Sequence, residues 1–201
     1  MKVRKAIEQD IPALAEMLAR AFHEDPIVDW VFADERRRPK YTRRFFAGRA
    51  RVLIGQREIY TIDGDDGGGS AAAAAMWARP DEWRDPPLQA MRELAILVPG
   101  VGLRAAQVVR GLVQVESRHP KPPHWYLAVL GTDPSRQGEG LATRLLGVVL
   151  EDCDRDEVPA YLETGTERNV AFYTRHGFKV IEELQLPKGP PVWLMWRDPR
   201  L

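Results

Sequence analysis

The sequence predicts a mixed α/β domain. Strand-length apolar runs such as "HWYLAVLGT" and "VWLMWR" alternate with segments whose apolar residues recur at helical spacing. Glycine turns punctuate the change from one pattern to the other, most plainly at "GDDGGGS" and "SRQGEGLA". At 201 residues the length fits one domain, 1–201, able to bury a core without metal or disulfides.

"VRKAI" predicts a short first strand. Asp10 then caps a helix with Pro12 in its first turn, and Ile11, Leu14, Leu18 and Phe22 line its apolar face. "HEDP" stops that helix, because the residue before Pro26 is forced out of the α region. "IVDWVF" reads as a turn, and residues from about Asp34 to Leu53 as a basic helix. "EIYTID" and "AAAAAMWAR" predict a hairpin across the glycine turn, against the helical preference of the alanines. "DEWRDPP" reads as a loop and Leu88–Glu116 as helix interrupted at "VPGVG". The prolines of "RHPKPP" make a rigid connector to the strand "HWYLAVLGT". The helix after the second glycine turn carries Leu141, Leu145, Val148, Val149 and Cys153 on one face. "VPAYLET" is a strand, and "RNVAFYTRHGF" a short helix capped by Asn169 and closed by Gly177. "FKVIEEL" and "VWLMWR" end the chain as strands.

Composition excludes several classes. Lys plus Arg and Asp plus Glu number 29 each, which gives no basic footprint for nucleic acid or an anionic membrane. The one cysteine, Cys153, forms no internal disulfide and fits a reducing, cytoplasmic setting. No apolar run is of membrane-spanning length, and "MKVRKAIEQD" is not a signal peptide. No cysteine–histidine cluster has metal-ligand spacing, so no metal is expected. The lone Cys153, on an apolar helix face, reads as a buried small hydrophobe rather than a nucleophile.

The turn "SRQGEGLATRLL" presents backbone N–H groups at the positive end of a helix, a place for phosphate or pyrophosphate. It has no lysine after its glycines, so it is not a Walker loop. Thr143 stands where a dinucleotide fingerprint needs its third Gly or Ala. Residues Gln137-Gly138-Glu139-Gly140-Leu141-Ala142 read Gln-x-x-Gly-x-Ala, and "LETGTERNVAFYTRHGFKV" follows downstream. Together these resemble the acetyl-CoA loop and the tyrosine-bearing helix of the GNAT superfamily of N-acetyltransferases. "AFHEDP", "HPKPPHWYLAVLGTDPSRQGEGLA" and "PKGPPVWLMWRDP" are similar, more narrowly, to the puromycin N-acetyltransferases and their actinobacterial relatives. That likeness is poor from about Asp34 to Glu116, the acceptor-lining part, so the substrate does not carry over.

The resemblance implies a mostly antiparallel central sheet with helices on both faces and a splay between two central parallel strands. Residues 1–120 form the acceptor-side half and 121–201 the acetyl-CoA half. It implies that Gln137 to Thr143, with Gly138, Glu139, Gly140, Leu141 and Ala142, hold the pyrophosphate through main-chain N–H groups. Leu130, Gly131 and Thr132 would bind pantetheine as an added strand, with an oxyanion donor near Leu130. Gly131 marks a bulge or a close backbone approach. Arg136 pairs with a cofactor phosphate or is a solvated arginine; Glu139, where many relatives carry a basic residue, repels the pyrophosphate unless it turns to solvent. Tyr173, one turn into its helix, is the expected general acid, Asn169 a cap and cofactor partner, and Phe172 packs on the cofactor or the core. Glu163 is the expected base, with Asp25 and Glu24 as alternative attractors of a cationic amine and His23 and His124 as lone histidines. Of the six tryptophans, Trp125, Trp193 and Trp196 belong to strands, and Trp30, Trp77 and Trp83 fall near the acceptor side.

The expected activity is acetyl transfer from acetyl-CoA to a primary amine of a small, antibiotic-like molecule, directly in a ternary complex, by a monomer or homodimer. A protein lysine or N-terminal acetyltransferase, and a non-catalytic acetyl-CoA sensor, are the alternatives.

Overall fold

The structure, a computed structural model, describes residues 2–54, 58–65, 69–84 and 98–200. Seven strands form one sheet: β1 (Val3–Lys5), β2 (Glu58–Asp63), β3 (Ala71–Ala78), β4 (Trp125–Thr132), β5 (Ala160–Thr164), β6 (Lys179–Gln185) and β7 (Pro191–Arg197). Their order is β1-β2-β3-β4-β5-β7-β6, antiparallel throughout except for the central β4–β5 pair. The helices are α1 (Ile11–Ala21), α2 (Pro26–Val31), α3 (Arg38–Leu53), α4 (Ala105–Ser117), α5 (Leu141–Arg155) and α6 (Glu167–Arg175).

The strand period explains the layers. Alternate residues of β3 face opposite ways: Ala73, Ala75 and Trp77 join Leu145, Leu146, Val149 and Cys153 of α5, while Ala74 and Met76 join Leu14, Leu18 and Phe46 of α1 and α3. All eight residues of β3 are buried, so this strand needs apolar side chains on both faces. A third cluster sets Trp30 and Val31 of α2 and Val108 of α4 against Tyr161, Leu184 and Leu194. Each wholly buried leucine contributes about 1.5–3 kcal/mol by leaving water.

Several local expectations are corrected. Asp10 does not cap α1; its carboxylate accepts from the Ile7 N–H at 2.8 Å and is forked by Arg4 at 2.7 and 2.8 Å. "IVDWVF" is not a turn but most of α2, because Asp25 caps it by accepting from the Ile27 and Val28 N–H groups at 2.9 and 3.1 Å. The basic helix starts at Arg38 rather than Asp34, whose side chain holds a preceding turn through Arg36. The break at "VPGVG" is a 3-10 turn, Gly102–Arg104; the start of that helical stretch and the end of "DEWRDPP" lie outside the described residues. Thr166, not Asn169, caps α6 by accepting from the Asn169 N–H at 3.2 Å. Gly177 does close that helix, at φ +94°. Trp77 is fully buried core rather than acceptor-side, and Trp30 is 5% exposed with its indole N–H on the Pro187 carbonyl.

Candidate active site

The site is built where β4 and β5 part. Their parallel pairing covers only Trp125–Ala160, Tyr126–Tyr161 and Leu127–Leu162. Beyond it β4 stays with β3 and β5 stays with β7. The β5-facing edge of β4 from Ala128 onward therefore has no strand partner, and Glu163 is the first residue of β5 past the fork. The bulge that accompanies the parting falls at Ala128, where the register slips between Met76 and Trp77, and not at Gly131. Gly131 is instead a close approach: a Cβ there would lie 2.6 Å from Leu18 Cδ2 on α1. Leu130 leans on the α5 side, and Thr132 pairs with Ala73 at the end of the strand.

The turn after β4 is knotted by Asp133. Its carboxylate accepts from the Ser135 N–H (3.0 Å) and hydroxyl (2.7 Å) and from Arg20 (2.6 Å). Burial opposes ionisation there, but these bonds hold the carboxyl below the usual range. Gln137 is extended, Gly138 and Gly140 take φ +89° and +75°, and Gly140 opens α5 with no side-chain cap. Nothing lies within 4 Å of a Cβ at either glycine, so the backbone conformation and not crowding calls for glycine. Among the described residues, none of the N–H groups of 138–143 donates to a protein acceptor. That run of free donors at a helix start fits a pyrophosphate. Leu141 itself sends its side chain into the core, Ala142 is half-buried, and the Thr143 hydroxyl lies 3.2 Å from His176 Nε2.

Arg136 and Glu139 hold each other. The guanidinium forks onto the Glu139 carboxylate at 2.6 and 2.7 Å and reaches Asp65 at 2.8 Å. The Arg136 hydrogen bond holds the Glu139 carboxyl below its ordinary range. Arg136 is thus engaged by two carboxylates, and Glu139 is turned onto it and partly neutralised.

Tyr173 sits near the C-terminal end of α6, further along than the one turn expected, and is 7% exposed between Phe172 and Phe178. Burial, with the Asp25 charge nearby, pushes its phenol well above the ordinary tyrosine range. Among the described residues none hydrogen-bonds its hydroxyl. Asp25 lies close because Gly165, after β5, admits Ile27 and Pro26 of α2 against its backbone. Burial pushes the Asp25 carboxyl up, against the two amides it caps. Phe172 packs on the core and on the His176 ring. The half-buried Asn169 side chain has no protein partner among the described residues.

On the other face of the fork lies a cluster that the sequence reading missed. His124 is not lone: its Nε2 lies 2.9 Å from that of His119, a residue not singled out in the sequence, and His119 Nδ1 is 3.5 Å from Glu163 Oε1. Trp83 stacks on His119 at 3.5 Å between ring centres, and Tyr126 and Tyr161 meet the same ring edge-on. The signal was two histidines joined by three prolines in "HPKPPH", a short stiff loop that folds back on itself. A separate groove, walled by Glu16, Arg20, His23, Lys40, Arg43 and Pro134, lies beside the turn and includes none of Tyr126, Glu163 or Tyr173. Among the described residues no three His, Cys, Asp or Glu side chains are arranged for a metal, and no helix is long and apolar enough to cross a membrane.

The profile of the acetyltransferase (GNAT) family matches residues 70–178, more than half of the 201. The chain belongs to the GNAT acetyltransferase family. The family uses acetyl-CoA, and the turn with its free N–H groups and the fork beside it lie inside the matched segment. An uncharacterized N-acetyltransferase of Schizosaccharomyces pombe is 30% identical over 78 residues, 37% of this chain. The match spans about a third of that relative's length (32%). Among solved structures, that of histone acetyltransferase HPA2 and related acetyltransferase from Corynebacterium glutamicum aligns with TM-score 0.75 and 24% identity, covering 100% of this chain and 97% of the other. The arylalkylamine N-acetyltransferase 2 of Aedes aegypti aligns with TM-score 0.67 and 12% identity over 99% of both chains. These likenesses show the GNAT fold: the seven-stranded sheet, its one parallel pair and the flanking helices.

Proposed function

We propose that this GNAT protein acetylates a primary amine of a small molecule by direct attack in a ternary complex. The observation that carries the reading is the fork: β4 and β5 part after Leu127 and Leu162, with Glu163 at the vertex and the unpaired edge of β4 beside it. Acetyl-CoA, when bound, supplies an activated acetyl thioester. The N–H groups from Gly138 to Thr143 would hold its pyrophosphate, and the edge of β4 around Leu130 to Thr132 its pantetheine. A main-chain N–H of that edge near Leu130 would donate to a developing oxyanion. Glu163 takes the proton of the attacking amine, and Tyr173, kept protonated by burial, gives one to the departing thiolate. The aromatic rings of Trp83 and Tyr126 near Glu163 favour a small, flat or cationic acceptor over an extended peptide.

The test is calorimetric titration of acetyl-CoA, followed by thiol release with a panel that includes puromycin, arylalkylamines and lysine peptides. Binding with release for small amines, and a loss of about 10²–10⁴-fold in Tyr173→Phe, supports the reading. Preference for peptides overturns the substrate class; binding without release by any amine makes the protein a sensor.

A further inference from the structure

We propose that Glu163 accepts the amine proton as one half of a pair with His119, and that His124 is a positioning residue that decides which His119 nitrogen faces the carboxylate. The proposal rests on the acetyltransferase reading above, and deepens it.

The hydrogen bonds fix the protons. The Pro122 carbonyl can only accept, so His124 Nδ1, 2.6 Å away, carries a hydrogen. His124 is 1% exposed, and burial lowers its pKa, so the ring is neutral and its Nε2 is a lone pair. That lone pair lies 2.9 Å from His119 Nε2, which must therefore be the donor. In the neutral form of the His119 ring, Nδ1 is then left without a hydrogen, facing Glu163 Oε1 at 3.5 Å. A lone pair opposite a carboxylate is an incomplete contact, and one proton completes it. The substrate ammonium loses a proton, its N–H bond breaks and the electron pair stays on nitrogen. The proton joins the pair, whose charge goes from minus one to zero.

The surroundings hold this geometry. The stacked Trp83 sets the His119 ring plane, and the edges of Tyr126 and Tyr161 close its sides. Tyr161 presents a buried hydroxyl with no well-formed hydrogen bond; burial and the adjacent Glu163 keep it protonated. Among the described residues, the other charges facing the cluster include Asp81 and Glu182, the latter paired with Arg118 at 2.7 Å, and Arg84 over the Trp83 ring. His119 is 3% and Glu163 13% exposed in their side chains, so substrate meets the pair at the carboxylate.

The test is imidazole nitrogen-15 spectroscopy of the histidine-labelled protein, which has four histidines and needs no turnover. At a pH where the rings are neutral, His119 is expected with its hydrogen on Nε2 and His124 with its hydrogen on Nδ1. His124→Phe removes the acceptor and is expected to mix the His119 tautomers, whereas His124→Gln, whose amide oxygen can accept, keeps them. His119 with its hydrogen on Nδ1 overturns the proposal. In the thiol-release assay His124→Phe is expected to lower kcat about tenfold or more, to shift the pH profile and to leave the KM for acetyl-CoA unchanged. An unchanged kcat and pH profile overturns the positioning role. Expected spectra with no turnover for any amine would overturn the acetyltransferase reading instead.

Discussion

The same substitution, Gly→Ala, is expected to have opposite signs at two positions. At Gly131 on β4 a Cβ would lie 2.6 Å from Leu18 Cδ2, 3.1 Å from Phe22 Cε2 and 3.4 Å from Ala21 Cβ. Carbon atoms rest at about 3.5–4.0 Å, so Leu18 must retreat by about 1 Å. Leu18 of α1 is wholly buried within the cluster between that helix and the sheet, so its displacement presses on packed neighbours. Overpacking of this kind costs about 1–3 kcal/mol. At about 2–4 °C per kcal/mol for a chain of this size, Gly131→Ala should melt about 2–12 °C lower. At Gly147, inside α5, nothing lies within 4 Å of a Cβ. There the helix preference acts alone, and Ala should stabilise by up to about 1 kcal/mol. Urea and thermal unfolding, followed by circular dichroism, measure both variants. Gly131→Ala at or above the parent, or Gly147→Ala below it, would refute the packing argument.

Three further outcomes are expected. Arg136→Ala releases Glu139 beside the start of α5 and should weaken acetyl-CoA binding by a few-fold, the scale of an exposed ion pair; adding Glu139→Gln should restore it in calorimetry. The Arg197 hydrogen bond holds the Asp154 carboxyl below its ordinary range, and Arg197 is 2% exposed. Because the folded value is depressed, that stabilisation is full above the unfolded pKa of about 3.9 and is lost as pH falls through the folded value. Asp154→Asn should therefore cost about 1.5–3 kcal/mol at neutral pH in urea titrations, and the difference should vanish in acid. Burial pushes the Cys153 thiol up to about 12, so a neutral thiol reagent should label it only as fast as the protein unfolds.

The second half of the fold was legible because each element carries its own signal. The glycine turn at Gly138 and Gly140, the apolar face of α5 and the glycine after α6 are local features, and local physics places them. The alanine strand was legible only through its hairpin partner, since alanine alone favours a helix. Capping was misread twice, at Asp10 and at Asn169, because a nearby side chain outcompeted the expected one: Arg4 claimed Asp10, and Thr166 reached the Asn169 amide first. Of the two readings of Gly131, the close approach holds and the bulge lies three residues earlier, at Ala128, because glycine is only a common mark of a bulge. His119 escaped notice because its role comes from Glu163, 44 positions away and on another element, and no short window contains both.

The alanines of β3 have a consequence for how this protein can change. A side chain without rotamers costs no side-chain entropy to order and offers no slack. Almost every replacement there adds volume between α1 and α5, which meet that strand from opposite sides. Diversification is thereby channelled outward, to the surfaces around α2, Trp83 and α4. A library spread over those surfaces should yield folded proteins with altered acceptor choice. One spread over 71–75 should yield mostly insoluble chains.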